Sequence, residues 1–514
     1  MKLRELNILL FAAFAFFMLC VRNGDVLYTL SEQSLFIPGH AFWEEITPKS
    51  GVIGWLGCYL TQFMHIPWLG AMLLIALWAV IYYACVRIFH LRNLWTLLAL
   101  IPVTVLLCQE ISMGYHVFYM KSQGLAFVPT LYVLLVTLSA LLVSAVVLLL
   151  SFCLKKTGMR RFVRQKAWVL PFKKPAKIYA VALFLLFWAA LVVVVFHYDY
   201  SDANYHHELR MARSMDECQW QAVLDEAASL KSRPTNLMVV YKNIALLHTG
   251  QITKMFHTDC CGTQPYVRDS LAVHISQIAA PMIYYQLAMF NDSYRWAMEN
   301  AVQYGMNISL LKTMVRCAIW NGEHELAHKY LNMLSATLFQ KEWATEHRSW
   351  LYNAGSFQSH PEYKALLPLV SDQPDKLDYD QGACEKYVLD HFSDLRTDRP
   401  LLEDFSLCVS LWTESESDFV DQLELYMQHH PHSPLPLLYQ EAAIMMSQSV
   451  FAPPWLAELP YDAAVTHRFQ QFLEAYYSMA NRGLSEQDMA EHLRSAYGTT
   501  YWWYYYFYTD FHIY

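Results

Sequence analysis

Residues 313–332 read TMVRCAIWNGEHELAHKYLN, and thirty residues earlier 283–302 read IYYQLAMFNDSYRWAMENAV. Set one above the other, Ala288 falls on Ala318, Phe290 on Trp320, Asn291 on Asn321, Trp296 on Leu326 and Ala297 on Ala327. A small residue on one helix, an aromatic one before a polar turn and a second small residue on the return helix are what two closely packed antiparallel helices require. Through the rest of 201–514 apolar residues recur at three and four, with few alternating β-branched runs and few Asn-Gly turns. This predicts an all-α fold built of helical hairpins, with further hairpin pieces in NIALLHTGQ (243–251) and HHPHSPLPLLYQEAAIM (429–445).

Working outward, the chain changes character near residue 200. Over 514 residues the composition is 55% hydrophobic against 16% charged, an apolar balance that points to lipid contact. Residues 1–200 carry a charge of +9 and residues 201–514 a charge of −17. The sequence therefore divides into a membrane domain, 1–200, and an acidic helical-repeat domain, 201–514, which ends in an aromatic tail, 499–514.

Crossing the hydrocarbon core takes roughly 20 mostly apolar residues. Five segments meet that need: 6–21, 69–89, 94–108, 126–153 and 178–196. The third is short and contains Pro102, which neighbouring helices can tolerate. The first is followed by Val21, Arg22 and Asn23 rather than a small-residue cleavage site, so it reads as a retained helix. Cations in short loops mark the cytoplasmic side. Thirteen Lys and Arg lie on one side, nine of them in the loop 154–177, against Arg22, Lys49 and Lys121 on the other. The amino terminus is thus expected inside, and an odd number of spans places the acidic domain outside the cytoplasm.

Trp68, Trp95, Trp168, Tyr179, Tyr198 and Tyr200 flank the apolar runs as interfacial anchors do. Between the first two spans, GVIGWLGCYLTQFMHIPW (51–68) is apolar but loosened by Gly51, Gly54 and Gly57 and stopped by Pro67. It reads as an interfacial or re-entrant helix on the outer leaflet. At the other end, ten of the sixteen residues of TTYWWYYYFYTDFHIY (499–514) are aromatic. A run that rich in Tyr is too short to span and would leave a large apolar patch if exposed, so it is expected to be ordered and mostly buried, with Trp502 and Trp503 among its anchors.

The hairpin pattern resembles tetratricopeptide-like repeats, although its two small residues, nine apart, stand closer than in that family. The arrangement of the whole chain, with FWEEI (42–46), YRWAMENAVQYG (294–305) and the aromatic tail, resembles an uncharacterised family of membrane proteins from Bacteroidota. That resemblance implies an architecture and no activity.

Two stretches carry candidate chemistry. His324, Glu325 and His328 spell H-E-x-x-H, in which residues at i and i+4 share a helix face to hold zinc while the Glu activates the bound water. Glu342 or Glu346 stands at a possible distance for a third ligand. Against a protease, Lys329 follows the second His, no edge strand is visible, and the motif falls in the return helix of the repeat, where Leu326, Ala327, Tyr330, Leu331 and Leu334 form the apolar stripe. The alternative is Glu44 and Glu45 in the first external loop, where membrane glycosyltransferases using lipid-linked sugars place an acidic base or metal ligand. Such enzymes have more than five spans, and an exposed acidic pair is usually solvated.

His429, His430 and His432 lie among Pro431, Ser433 and Pro434 and read as an inter-helix turn rather than a metal site. An oxidising compartment permits disulfides among Cys218, Cys260, Cys261, Cys317, Cys384 and Cys408, with no pairing legible. The sequence holds no P-loop, dinucleotide fingerprint or nucleophile elbow, implies no cofactor, and its acidic outer domain speaks against nucleic acid. The function expected on these grounds is a non-enzymatic one: a scaffold that recognises a protein partner in the periplasm while its spans contact membrane lipid.

Overall fold

The computed structural model of the protein describes residues 2–118, 126–153, 177–257, 262, 275–370, 392–393, 395–450 and 452–508. All elements among them are helical. In order these are α1 (Leu3–Phe16), α2 (Gly24–Glu32), α3 (His40–Thr61), α4 (Pro67–Ile88), α5 (Leu100–Ile111), α6 (Val128–Cys153), α7 (Lys177–Tyr198) and α8 (Ala203–Asp216). There follow α9 (Trp220–Ala228), α10 (Asn236–His248), α11 (Ile275–Gln286), α12 (Phe290–Tyr304), α13 (Ile308–Trp320), α14 (His324–Ser335), α15 (Lys341–Tyr352), α16 (Ala354–Ser359) and α17 (Pro361–Leu366). The chain closes with α18 (Pro400–Trp412), α19 (Glu416–His429), α20 (Leu437–Met446), α21 (Pro454–Ala457), α22 (Ala463–Ala480), α23 (Glu486–Tyr497) and α24 (Tyr501–Tyr508).

The contacts divide the chain into two units, neither continuous in sequence. The first takes Met1–His206, Glu299–Val315 and His324–Arg348, and the second His207–Met298, Arg316–Glu323 and Ser349–Tyr514. The first unit thus draws two segments from the acidic half of the chain.

Five helices of the first unit are long and apolar enough to cross a bilayer: Leu3–Arg22, Pro67–Ile88, Asn93–Ile111, Val128–Val147 and Ile178–Tyr198. They match the five segments expected from hydropathy. The second and third are the most enclosed by protein, 56% and 61% buried, whereas the last two are 11% buried and present apolar side chains nearly all round. Such surface suits lipid. The third span owes its length to a 3₁₀ turn, Asn93–Ala99, that precedes α5. This leaves Pro102 in the first turn of α5, where a missing N–H costs least.

Polar ties fix the spans to one another. Asn7 Nδ2 donates to Thr96 Oγ1 at 3.0 Å and Trp78 Nε1 to Thr130 Oγ1 at 2.9 Å. At the end of the first span a π-helical turn, Phe17–Arg22, delivers Arg22 to Asp199, which also accepts from Asn23 Nδ2 at 3.3 Å. Before α4, the apolar stretch around residues 51–68 is helical, but α3 is broken at Gly51, whose φ of 67° with ψ of −171° no side-chain-bearing residue adopts readily. Gly54 and Gly57 stay within the helix. The basic loop lies in residues 154–176, outside those described, up to Lys177.

The second unit is organised by one recurrent turn. At Cys218, Gly250, Ala288, Gly322, Glu414 and Gly483 the backbone turns left-handed, with φ between 54° and 75°. Each of these residues donates its N–H to the carbonyl three residues back, and its successor donates to the carbonyl five residues before it, as in Ala288 to Tyr285 and Met289 to Tyr284. This is the Schellman arrangement, which satisfies the last carbonyls of a helix and turns the chain toward the next one. The first four turns stand 32, 38 and 34 residues apart.

That register corrects the thirty-residue alignment. Phe290 opens α12 whereas Trp320 closes α13, so the two are not equivalent positions. They are contact partners instead: their rings stack with centroids 4.7 Å apart, and Asn321 Nδ2 donates to Asn291 Oδ1 at 2.9 Å. Similar residues recur there because two ends of neighbouring helices meet, and aromatic faces and amides pair best with their own kind.

The described part of the aromatic tail is a helix, α24, with Tyr501, Trp502 and Tyr504 fully buried and Trp503 and Phe507 nearly so. Trp502 packs on Phe469 and Phe472 of α22, and Tyr501 and Tyr504 on Phe256. Their hydroxyls donate to Leu411 O at 3.2 Å and Trp412 O at 2.8 Å, both at the carboxyl end of α18 where carbonyls lack helical partners. Residues 509–514 lie outside those described.

Candidate functional site

A polar site of the first unit forms around Glu32, the last residue of α2. Lys312, in the first turns of α13, places Nζ 2.8 Å from its Oε2, and Gln340 Nε2 donates to its Oε1 at 3.1 Å. His65 ends the 3₁₀ turn Gln62–His65 just before α4 and brings Nδ1 within 3.4 Å of Oε1. Aromatic rings wall the group: the Lys312 ammonium lies 5.9 Å from the Trp343 centroid, and the His65 ring stacks on Phe339 at 5.5 Å and meets Tyr28 at the same distance. Backbone ties support the arrangement, since Gln62 Oε1 accepts from Leu338 N at 3.0 Å and Ile308 N donates to Ser34 O at 3.2 Å.

Two opposed effects set the state of Glu32. Burial alone would push its carboxyl upward, but the Lys312 charge and the hydrogen bonds from Lys312 and His65 outweigh it and hold the group down at about 2. It is therefore a carboxylate throughout the physiological range. A group that far from neutrality makes a poor general base, and Lys312 is committed to it, so the centre holds segments together rather than moving protons. The open edge is His65, whose side chain is 27% exposed.

The second unit has its own charged centre. Arg316 Nη1 lies 2.5 Å from Asp216 Oδ1, and Arg316 Nε lies 3.6 Å from Glu362 Oε1. The Tyr285 hydroxyl donates to that same Glu362 oxygen and accepts from Trp320 Nε1 at 3.2 Å. Arg316 and Glu362 are both buried, and the guanidinium stands 5.6 Å from the Tyr285 centroid.

Farther along, Glu403 in the first turn of α18 is clasped by two imidazoles from the end of α19. His429 Nδ1 is 2.7 Å from Oε1 and His430 Nε2 is 2.9 Å from Oε2. Two of the three histidines read from sequence as a simple turn are thus bound to one buried carboxylate.

The residues singled out by motif are placed less tightly. His324 and Glu325 are exposed at the start of α14, with His328 half-buried one turn on, while Ala327, Tyr330, Leu331 and Leu334 form the buried face and Leu326 is half-buried. Glu342 and Glu346 are exposed on α15. Among the described residues no three His, Cys, Asp or Glu side chains converge where a metal ion would sit. Glu44 is exposed and meets His40 one helical turn away, Nδ1 to Oε1 3.3 Å; the Glu45 side chain lies outside what is described. Cys218, Cys317 and Cys408 are in no disulfide, the Cys317 thiol donating to Ser293 Oγ at 3.3 Å, and Cys260, Cys261 and Cys384 fall outside the described residues.

The sequence held one signal for the buried centres. Lys312 and Arg316 stand four apart in ISLLKTMVRCAIW, an otherwise apolar helix, and a cation in such a stretch must find a carboxylate. The partners were not legible, because Glu32 lies 280 residues from Lys312 and Asp216 lies 100 residues from Arg316.

The chain matches a family of unknown function, DUF6057, over residues 1–154 and 112–508, and it belongs to that family. No curated protein and no solved structure matches it significantly.

Proposed function

We propose that this DUF6057 protein is a bacterial inner-membrane scaffold of the Bacteroidota type, whose tetratricopeptide-like hairpins recognise a protein partner in the periplasm. The observation that carries the reading is the recurrent turn of the second unit, closing helix after helix at Cys218, Gly250, Ala288 and Gly322 in a rhythm of 32 to 38 residues. Stacked helix pairs of that length build extended recognition surfaces. The charged centres agree with it: the Glu32, Arg316 and Glu403 groups are paired internally, and pairing of that kind fixes geometry. The thirteen-to-three distribution of loop cations supports a cytoplasmic amino terminus.

Co-purification of the intact protein from native membranes tests the recognition role. A stoichiometric protein partner is expected; a bound polyprenyl lipid with none would replace the scaffold by a lipid-linked-sugar transferase acting through Glu44 and Glu45. A periplasm-dependent reporter fused after residue 514 is expected to be active, and a reporter working only in cytoplasmic form would reverse the orientation.

A further inference from the structure

Glu441 sits in the middle of α20 with 1% of its surface exposed. Its Oε2 accepts the backbone N–H of Tyr501 at 3.0 Å, the first residue of α24. That amide is one of the donors a helix start leaves without an intrahelical partner, so a side chain from another helix here does the work of a cap. Among the described residues no cation lies within ion-pair distance of Glu441, in contrast to Glu32 or Glu403.

The elements packed against α20 bring few charges to it. Arg468 on α22 acts on Glu441 from beyond ion-pair distance, while its own Nη2 donates to Ala496 O at 2.8 Å. Lys254 and His257 belong to the turn Ile252–His257, and Tyr426 to α19. On the side toward α18, Tyr439 of α20 donates to Asp404 Oδ1 at 2.7 Å. A carboxylate in that setting has one amide and one distant guanidinium to replace its water, whereas a carboxylic acid can give Tyr501 the same hydrogen bond from its carbonyl oxygen without carrying buried charge.

We propose that Glu441 is a proton-operated latch on the C-terminal aromatic helix: neutral, it seats α24, and ionised, it loosens it. The shift of the group follows the same physics, since burial pushes it up to about 7 against the pull of the Tyr501 amide and Arg468. A folded-state value above the unfolded one means the stabilisation is complete below the unfolded value and is lost as pH rises through about 7. The latch therefore works around neutral pH. What it controls is the seating of the Tyr501, Trp502 and Tyr504 rings, whose hydroxyls and faces hold α18 and α22.

Hydrogen exchange of the intact protein in lipid nanodiscs, corrected for the intrinsic pH dependence of exchange, reads the latch directly. Protection of the 501–508 amides is expected to fall roughly thirtyfold between pH 5.5 and 8.5, given a group displaced from 4.5 to about 7. Glu441→Gln, which mimics the neutral acid, is expected to keep the protection and lose its pH dependence. Arg468→Gln, by removing the cation that favours ionisation, is expected to move the fall to higher pH, a shift that mere loosening would not produce. Wild-type protection independent of pH, an unchanged dependence in Glu441→Gln, or a midpoint unmoved by Arg468→Gln would each overturn the proposal.

Discussion

Glu32 in the first unit and Glu441 in the second are both buried glutamates, and they are driven in opposite directions. Glu32 meets an ammonium at 2.8 Å and is held at about 2; Glu441 meets a peptide N–H at 3.0 Å and is pushed up to about 7. Burial acts on both in the same sense, so the partner decides: a full positive charge outweighs desolvation, and a dipole does not. The first unit is consequently locked by a permanent ion pair, while the second contains a contact whose strength depends on its surroundings.

The largest effect expected is from removing the ammonium. Lys312→Met should leave Glu32 buried without its ammonium, a loss of about 3–5 kcal/mol in the first unit. Thermal unfolding and protease resistance of the purified protein would register it. The double variant Glu32→Gln with Lys312→Met should recover most of the loss, because a neutral pair leaves no buried charge; failure to recover would make packing around Trp343, not charge, the cause.

In the second unit the comparable anchor is apolar. Trp502→Ala should cost about 3–5 kcal/mol by opening a cavity against Phe469 and Phe472. An unchanged melting temperature would mean that the tail is a detachable element rather than part of the core.

The two glutamates also predict opposite responses to pH. Glu441, raised in the folded state, contributes stability that is present below 4.5 and lost as pH rises through about 7, up to about 3 kcal/mol in all. Glu32, lowered in the folded state, contributes stability that is present above 4.5 and lost as pH falls toward about 2, of similar size. Pulse proteolysis between pH 4 and 8.5, with fragments assigned to each unit, should show the second unit strengthening on mild acidification while the first stays level and weakens only toward the acid end. Parallel curves would contradict the assignment of these groups.

A smaller gain is expected at Ala288. Its φ of 60° is unfavourable for any residue with a Cβ, and the equivalent turns at Gly250 and Gly322 use glycine. Ala288→Gly should stabilise the second unit by about 1 kcal/mol, detectable as a rise in its denaturation midpoint.

Much of the architecture could be read in advance, and the reasons are local. A run of apolar residues declares a span by its length alone, and the tail declared its burial because that many rings have no stable place in water. The buried face of the helix that carries H-E-x-x-H likewise followed from the periodicity of Ala327, Tyr330, Leu331 and Leu334. Turn chemistry was half legible: Gly250, Gly322 and Gly483 are conventional left-handed residues, but Cys218, Ala288 and Glu414 adopt the same geometry without a glycine to announce it. Similarity at an offset of thirty misled because Phe290 and Trp320 resemble each other as neighbours in contact rather than as copies. The candidate centres were legible only in part, in Lys312 and Arg316 on an apolar helix and in the His429–His430 pair, since their carboxylate partners are residues that only the fold brings to them.

The ion pair between Glu32 and Lys312 also bears on how the protein is made. Residues leave the ribosome in order, so all five spans are synthesised before Lys312, Phe339, Gln340 and Trp343 exist. During that interval Glu32 has His65 within reach but neither the Lys312 ammonium nor the Gln340 amide. Insertion of the spans and completion of their own folding unit are therefore separate events, divided by the time needed to translate and deliver some 150 further residues. A chain interrupted between the last span and residue 312 would be inserted yet unfinished, displaying a carboxylate without its ammonium and a half-built aromatic wall, and incompletely folded chains are what cellular chaperones and proteases triage.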